Sequence, residues 1–366
     1  MIKTFKYRLY PTTKQKKLMQ LSLDGCRWVY NKTLETRKKA WEEMQVGISL
    51  YDTIKLLPKW KEENKFLSNA YSQCLQETQS RVDFAFKSFF RRVKKGENPG
   101  YPRFRSYDRY DSFTYPQSGF SLINSKLKLS KIGSIKIKLD RPLKEKIKTL
   151  TVRKSATDKW CACFSCEVEI QPLPKVESVV GIDVGLESFA TFSNGDKIDN
   201  PRFFKTDQKK LAKAQRKFSK EEKGNGKRKK LKKVISRIHE KITNRRKDFE
   251  HKESLKIVKG NQVIVFEKLD IKNMQENGIK YLHKSIADVA WNQFIQFTSY
   301  KAEWAGRTVI CVDPRNTSKR CSRCGIIVEK TLGDRIHSCS CGLVMDRDQN
   351  AAINILALGM QSLMQV

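Results

Sequence analysis

The chain has 366 residues, 39% of them hydrophobic, which is enough for true cores and, at about 100–200 residues per domain, for two or three of them. Its 74 Lys+Arg against 39 Asp+Glu leave a formal net charge of +35, an excess that calls for a polyanionic partner, nucleic acid first among them. Basic residues run through most of the chain, no stretch is apolar enough to span a bilayer, and residues 1–6 lack an apolar signal core, so membrane and secreted classes are set aside.

At the start, Thr4-Phe5-Lys6-Tyr7-Arg8-Leu9-Tyr10 alternates as a half-buried strand does and stops at Pro11. Thr12 or Thr13 then caps a helix that continues to Glu43. A second helical stretch covers about 68–95, with Tyr71, Leu75, Val82, Ala85, Phe86 and Phe89 as its apolar stripe. Gln73, Gln76, Ser80, Arg81 and Lys87 fall on the other side, where amide and guanidinium groups suit base edges as well as they suit water. The stretch 99–110 interleaves basic and aromatic residues, among them Tyr101, Arg103 and Arg105, a composition that combines phosphate contact with stacking on bases.

Beyond residue 110 the period changes to two. Leu127, Leu129, Ile132, Ile135, Ile137 and Leu139 sit among lysines, and strands at 149–152 and 160–170 follow, which together with the first strand predict a small barrel. Cys161 and Cys163 share one face of the last strand and Cys166 the other, so these three read as small apolar fillers rather than metal ligands.

Val179-Val180-Gly181-Ile182-Asp183-Val184-Gly185 is an apolar run that ends in one carboxylate before a tight reversal. Two more strands are expected at 188–192 and 197–204, joined through Asn194-Gly195. Residues 205–247 carry 19 Lys+Arg against 4 Asp+Glu in helical composition broken at Gly224-Asn225-Gly226, the pattern of a basic, phosphate-facing helical hairpin. Glu267 closes the apolar run Val263-Ile264-Val265-Phe266; a helix over 285–304 and a strand over 308–312 follow. This order of strands and helices is that of a ribonuclease-H-like sheet, with Asp183 on the first strand and Glu267 on the fourth.

Cys321-Ser322-Arg323-Cys324-Gly325 and Cys339-Ser340-Cys341-Gly342 form a zinc-ribbon pattern, unusual in that the second pair is CxC, with His337 as a reserve ligand. Four cysteines leave no open position, so one structural zinc is expected. Arg335 stands just before the second pair, where it can help bring a DNA strand inward or serve as a solvated loop residue. Asp346-Arg347-Asp348-Gln349-Asn350 opens a last helix that is expected to end near Gly359. Asp348 lies three, four and seven residues before Ala351, Ala352 and Ile355 and so shares their inward face, whereas Asp346 belongs to the linker. Asp183, Glu267 and Asp348, each at the end of a buried element, are the oxygen donors that a site for two divalent metal ions needs, while each taken alone also reads as a turn residue or, for Asp348, a helix cap.

These motifs, together with Tyr7-Arg8-Leu9-Tyr10-Pro11 and Gln15, Gly100-Tyr101-Pro102-Arg103-Phe104, and Thr317-Ser318-Lys319 before the first Cys pair, resemble the transposon-encoded TnpB family, relatives of the type V CRISPR effector nucleases. The likeness covers nearly the whole chain in the family's order. It implies an α+β multidomain protein: a wedge β-barrel at 1–10 and 111–175, interrupted by a helical recognition lobe at 11–110, then a RuvC-like nuclease at 176–313 and 346–366, split by a zinc-ribbon target-strand-loading insertion at 314–345. It further implies a bound guide RNA derived from the transposon end, cleavage of matched double-stranded DNA beside a short adjacent motif, and a cytoplasmic, nucleoid-associated place in a prokaryotic cell. A sugar kinase with the same GIDVG opening would need a second Gly-rich phosphate loop and a Gly-Gly adenosine site, and neither is found. The resemblance assigns strand exchange to a separate protein. A guided repressor without cleavage is the remaining alternative, but such relatives lose the acidic residues that this chain keeps.

Overall fold

The computed structural model describes residues 1–366 except 144, 277–281, 332 and 366, and divides the chain into two units, Met1–Glu169 and Ile170–Val366. In the first unit, β1 (Ile2–Tyr10) is followed by α1 (Thr13–Met44), α2 (Leu50–Lys55), α3 (Leu57–Glu63) and α4 (Ser72–Lys94). Thr12 starts α1 with a reciprocal capping box to Gln15, so the Thr-x-x-Gln spacing satisfies two backbone donors at once. Six more strands come after α4: β2 (Ser112–Tyr115), β3 (Phe120–Ile123), β4 (Lys126–Leu129), β5 (Gly133–Lys138), β6 (Lys146–Lys154) and β7 (Trp160–Glu167). The sheet is antiparallel and nearly closed, in the order β2-β6-β7-β1-β5-β4-β3, with the first strand of the chain at its centre. Phe5, Tyr7 and Leu9 on β1 point into the same core as Ile135, Ile137, Ala162 and Phe164, which also takes in Leu75, Val82 and Phe86 of α4.

In the second unit, β8 (Val179–Asp183), β9 (Ser188–Phe192) and β10 (Lys197–Asp199) run antiparallel, and β11 (Val263–Glu267) and β12 (Thr308–Val312) add in parallel beside β8. The order β10-β9-β8-β11-β12 puts the first strand in the middle, and the ends of β8 and β11 lie side by side through the pairing of Ile182 with Phe266. Between the strands run α5 (Phe203–Lys220), α6 (Gly226–Gly260), α7 (Ile271–Glu276), α8 (His283–Val289) and α9 (Trp291–Ala305). The two-stranded β13 (Ile336–Ser338) and β14 (Val344–Asp346) lead into α10 (Arg347–Met364).

Three expected boundaries are corrected. The strand expected at 197–204 ends at Asp199, because Arg202 turns through a left-handed conformation into α5. The helix expected over 285–304 is two helices broken at Ala290, which is also left-handed. Val289 and Trp291 are both buried, and two residues apart on one continuous helix they would face roughly opposite ways. Gly359 does not end α10, which runs five residues further. Instead Gly359 lets the helix lie on Val265: a Cβ there would stand 2.5 Å from both Val265 methyl groups.

Candidate metal-dependent nuclease site and zinc ribbon

Asp183 is the last residue of β8, Glu267 the last of β11, and Asp348 lies in the first turn of α10. The parallel pairing of β8 with β11 makes neighbours of the first two carboxyls. Burial, then the charges of Glu267 and Asp348, hold the Asp183 carboxyl well above the ordinary carboxylate range. Glu267 is pushed up to about 7, chiefly by burial. The charge of Arg347 pulls the Asp183 carboxyl the other way. As whole residues Asp183, Glu267 and Asp348 are each half-buried.

The start of α10 is held firmly. Asp346 is its N-cap, its Oδ1 accepting from the backbone N–H groups of Asp348 and Gln349, while its Oδ2 accepts from Lys197 Nζ at 2.7 Å. The capping role therefore falls to Asp346 and leaves the Asp348 carboxyl for other work. Arg347 donates from its backbone to Arg335 O and from its guanidinium to Thr331 O and Asp334 O, tying the helix start to the loop before β13. On the next turns, Asn350 donates to Arg320 O and accepts from Ser322 N–H, and Asn354 donates to Thr317 O and Arg320 O. These two buried asparagines fasten the cysteine loop to the helix of Asp348; at the level of sequence only their place on the inward face of α10 could have flagged them.

Cys321, Cys324, Cys339 and Cys341 bring four sulfurs within 4.8 Å of one another, and among the described residues they are the one such cluster. The Sγ–Sγ separations of 3.7 Å for Cys321–Cys341 and 3.5 Å for Cys324–Cys339 are close to the edge, about 3.8 Å, of a tetrahedron with Zn–S of about 2.3 Å. The cluster fits a zinc ion, and the CxC pair reaches it as well as the CxxC pair. Burial pushes the Cys321 thiol up, but the backbone N–H groups of Cys324 and Arg323 outweigh it and bring the thiol down to about 5. His337 is fully buried outside the four sulfurs, and its Nδ1 accepts from Lys330.

The expected nucleic-acid residues meet different surroundings. Arg81 is committed to β2, donating to Ser112 O at 3.0 Å and Thr114 Oγ1 at 2.7 Å. Gln73 accepts from Ser118, Ser80 bonds back to Gln76 O, Gln76 is exposed, and Lys87 pairs with Asp83. Tyr101 packs edge-on against Phe86 and Phe89 while remaining 45% exposed. Arg103 is exposed; the backbone of Arg105 is clamped by Asn31 and its guanidinium lies over Tyr30. Arg335 pairs with Glu187 at 2.7 Å. No helix among the described residues is long and apolar enough to cross a membrane.

Three family models match the chain: a helix-turn-helix domain over 1–45, a probable transposase over 163–278 and a Cas12f1-like TNB domain over 291–355. In this chain residues 1–45 form one strand and one uninterrupted 32-residue helix, so the first description does not fit its local structure. A Streptomyces pristinaespiralis protein named as an RNA-guided DNA endonuclease is 39% identical, over 98% of this chain and 89% of its own length. The Escherichia coli K12 protein named RNA-guided DNA endonuclease InsQ is 32% identical, over 98% and 92%. A solved Cas12f1–sgRNA–target DNA complex superimposes with a TM-score of 0.63 at 14% identity, covering 97% of this chain and 98% of that one, a likeness of fold. With two relatives above 30% identity matched from end to end, the chain belongs to the transposon-encoded TnpB family.

Proposed function

We propose that the protein is an RNA-guided DNA endonuclease that cuts guide-matched double-stranded DNA beside a short adjacent motif. The observation that carries the reading is the placement of Asp183 and Glu267 at the ends of adjacent parallel strands and of Asp348 in the first turn of the helix whose Ala352 and Leu356 lie against Gly181 of β8. The relatives' names, the +35 charge and the Cas12f1 likeness support a guide RNA and a DNA duplex as partners.

The donor set fits hard divalent cations. Burial and the charges of Glu267 and Asp348 raise the Asp183 carboxyl, burial raises Glu267, and a cation relieves such crowding. Asp183, Glu267 and Asp348 would hold two Mg²⁺ ions, which supply Lewis acidity toward the phosphodiester and lower the pKa of water. The protein's own residues set the geometry: the β8–β11 pairing fixes two carboxylates, and the Asp346 cap with Lys197 fixes the helix that presents the third. The products of hydrolysis in this arrangement are a 5′-phosphate and a 3′-hydroxyl.

In this reading the near-barrel with β1 is the wedge, residues 11–110 the recognition lobe, the five-stranded sheet with α10 a RuvC-like nuclease, and 314–345 the zinc-bearing target-strand-loading insertion. The guide derives from the transposon end, and the complex works on chromosomal DNA. Sequencing the RNA that co-purifies with the protein tests the guided mechanism: a single species ending in a variable segment is expected. Protein that purifies RNA-free, stays folded and cuts DNA at physiological salt rules it out.

A further inference from the structure

A cavity of about 570 Å³ lies among α6, α7, α8 and α9, within the size range of small-molecule sites. Arg246 and Lys247 of α6 stand on one side of it. Asn292, Gln293 and Gln296 stand on another, where spacings of three and four residues bring their carboxamides onto one face of α9. Ile271 of α7 and Ile286 of α8 supply apolar wall, and the left-handed Ala290 that separates α8 from α9 lines the space as well. Among the described residues that line it there is no carboxylate, and Asp183, Glu267 and Asp348 are not part of it.

The cations here are incompletely used. Arg246 gives one nitrogen to Asp288 at 2.6 Å, which fixes the guanidinium, but its Nε is buried without a hydrogen-bond partner. A buried donor left unpaired is uncommon in a folded protein and calls for a partner from outside the chain. Lys247 is exposed. One turn on along α6, Glu250 is fully buried with both carboxyl oxygens unpartnered, and burial pushes it up to about 8 against the charges of Arg246 and Lys247. It is therefore largely neutral near pH 7 and leaves the two cations uncompensated from that side.

Two neighbouring cations suit a phosphate, and the isoleucines suit the face of a planar ring. Three carboxamides, each with donors and an acceptor, suit the hydrogen-bonding edge of a nucleobase, adenine above all, which such a group meets in a bidentate pair. A base stacked and paired in a duplex does not present its edge to a cavity of this size. We propose that the cavity binds one unstacked nucleotide, its phosphate on Arg246 and Lys247 and its base edge on Asn292, Gln293 and Gln296. The nucleotide comes either from an RNA strand held by the protein, turned out of its stack, or free from solution; the contacts are the same. None of the acidic residues takes part, so the site stands apart from the nuclease reading.

The test uses the purified full-length protein with the RNA that accompanies it. In one arm p-benzoylphenylalanine replaces Thr243, which lines the cavity, and ultraviolet light joins it to a single position of the RNA if a strand supplies the nucleotide. In the other, fluorescent N-methylanthraniloyl-AMP is titrated into the unmodified protein, and a free occupant gives saturable binding of one per chain. A signal in one of the two arms is expected and assigns the source. In that arm Lys247→Gln should lower the cross-link yield or the affinity about ten-fold and Asn292→Leu about three- to five-fold, with melting temperatures unchanged. No signal in either arm, cross-links scattered along the RNA, or a signal indifferent to both substitutions overturns the proposal. Cleavage is read in neither arm, so failure of the nuclease reading shows only in the Mg²⁺-dependent cutting of matched DNA and leaves this result as it stands.

Discussion

Gly181 on β8 and Ala352 on α10 meet with no room for a side chain between them. A Cβ on Gly181 would collide with the Ala352 carbonyl oxygen and stand 2.7 Å from the Leu356 backbone nitrogen. Asp183 lies two residues beyond the first contact and Asp348 one turn before the second, so this glycine sets the distance between carboxylates from different elements. Gly181→Ala should force α10 outward, lowering stability by about 1–3 kcal/mol and cutting far more slowly, with RNA binding intact. Melting curves with cleavage rates check this; wild-type behaviour in both would refute it.

Asp346 and Asp348 should separate by role. Asp348→Asn keeps the helix start, since the cap is Asp346, and should cut at least ~100-fold more slowly, a loss of ~2.7 kcal/mol. Asp346→Asn still caps and should keep most activity, whereas Asp346→Ala should cost about 1 kcal/mol of stability. Single-turnover rates and melting temperatures of the three variants decide, and exchanged phenotypes would reverse the assignment.

Without Mg²⁺, burial first and like charge second raise the pKa of Asp183, and burial takes Glu267 to about 7. Folding therefore favours the protonated forms. Their contribution to stability is complete below about pH 4 and is lost as pH rises through the folded values. In Mg²⁺-free buffer that leaves zinc in place, the melting temperature should fall between about pH 4.5 and 8. Asp183→Asn should flatten that fall, and Mg²⁺ should stabilise the wild type most at the alkaline end. Identical slopes in wild type and variant would mean that these carboxyls are not the cause.

Metal analysis should return one zinc per chain. Cys324→Ser should lose it and loosen the loop that Asn350 and Asn354 hold, lowering the melting temperature while leaving RNA bound. Active protein free of zinc would contradict the site.

Much of this was legible in the residues. The apolar runs ending in Asp183 and Glu267 are buried parallel strands, and such runs announce themselves without long-range information. The pairing of CxxC with CxC was equally plain, but whether all four sulfurs converge depends on turns that only the folded loop supplies. The break at Ala290 was hidden because the residues on either side have helical composition and only burial against the sheet separates them. Arg81 looked like a free polar face because sequence cannot say that β2, four residues long, will lie beside it. Gly359 sits where a helix cap would, and its contact with Val265, 94 residues away in sequence, is invisible to local patterning.

The most direct measurement offers the protein, with its co-purified and sequenced RNA, a DNA duplex matched to that RNA in Mg²⁺. The expected result is a cut within or beside the matched segment, leaving 5′-phosphate ends, that disappears with Asp183→Ala and with an unmatched duplex. A wild-type protein that binds the matched duplex and leaves it whole, or cutting unchanged by Asp183→Ala, would contradict it.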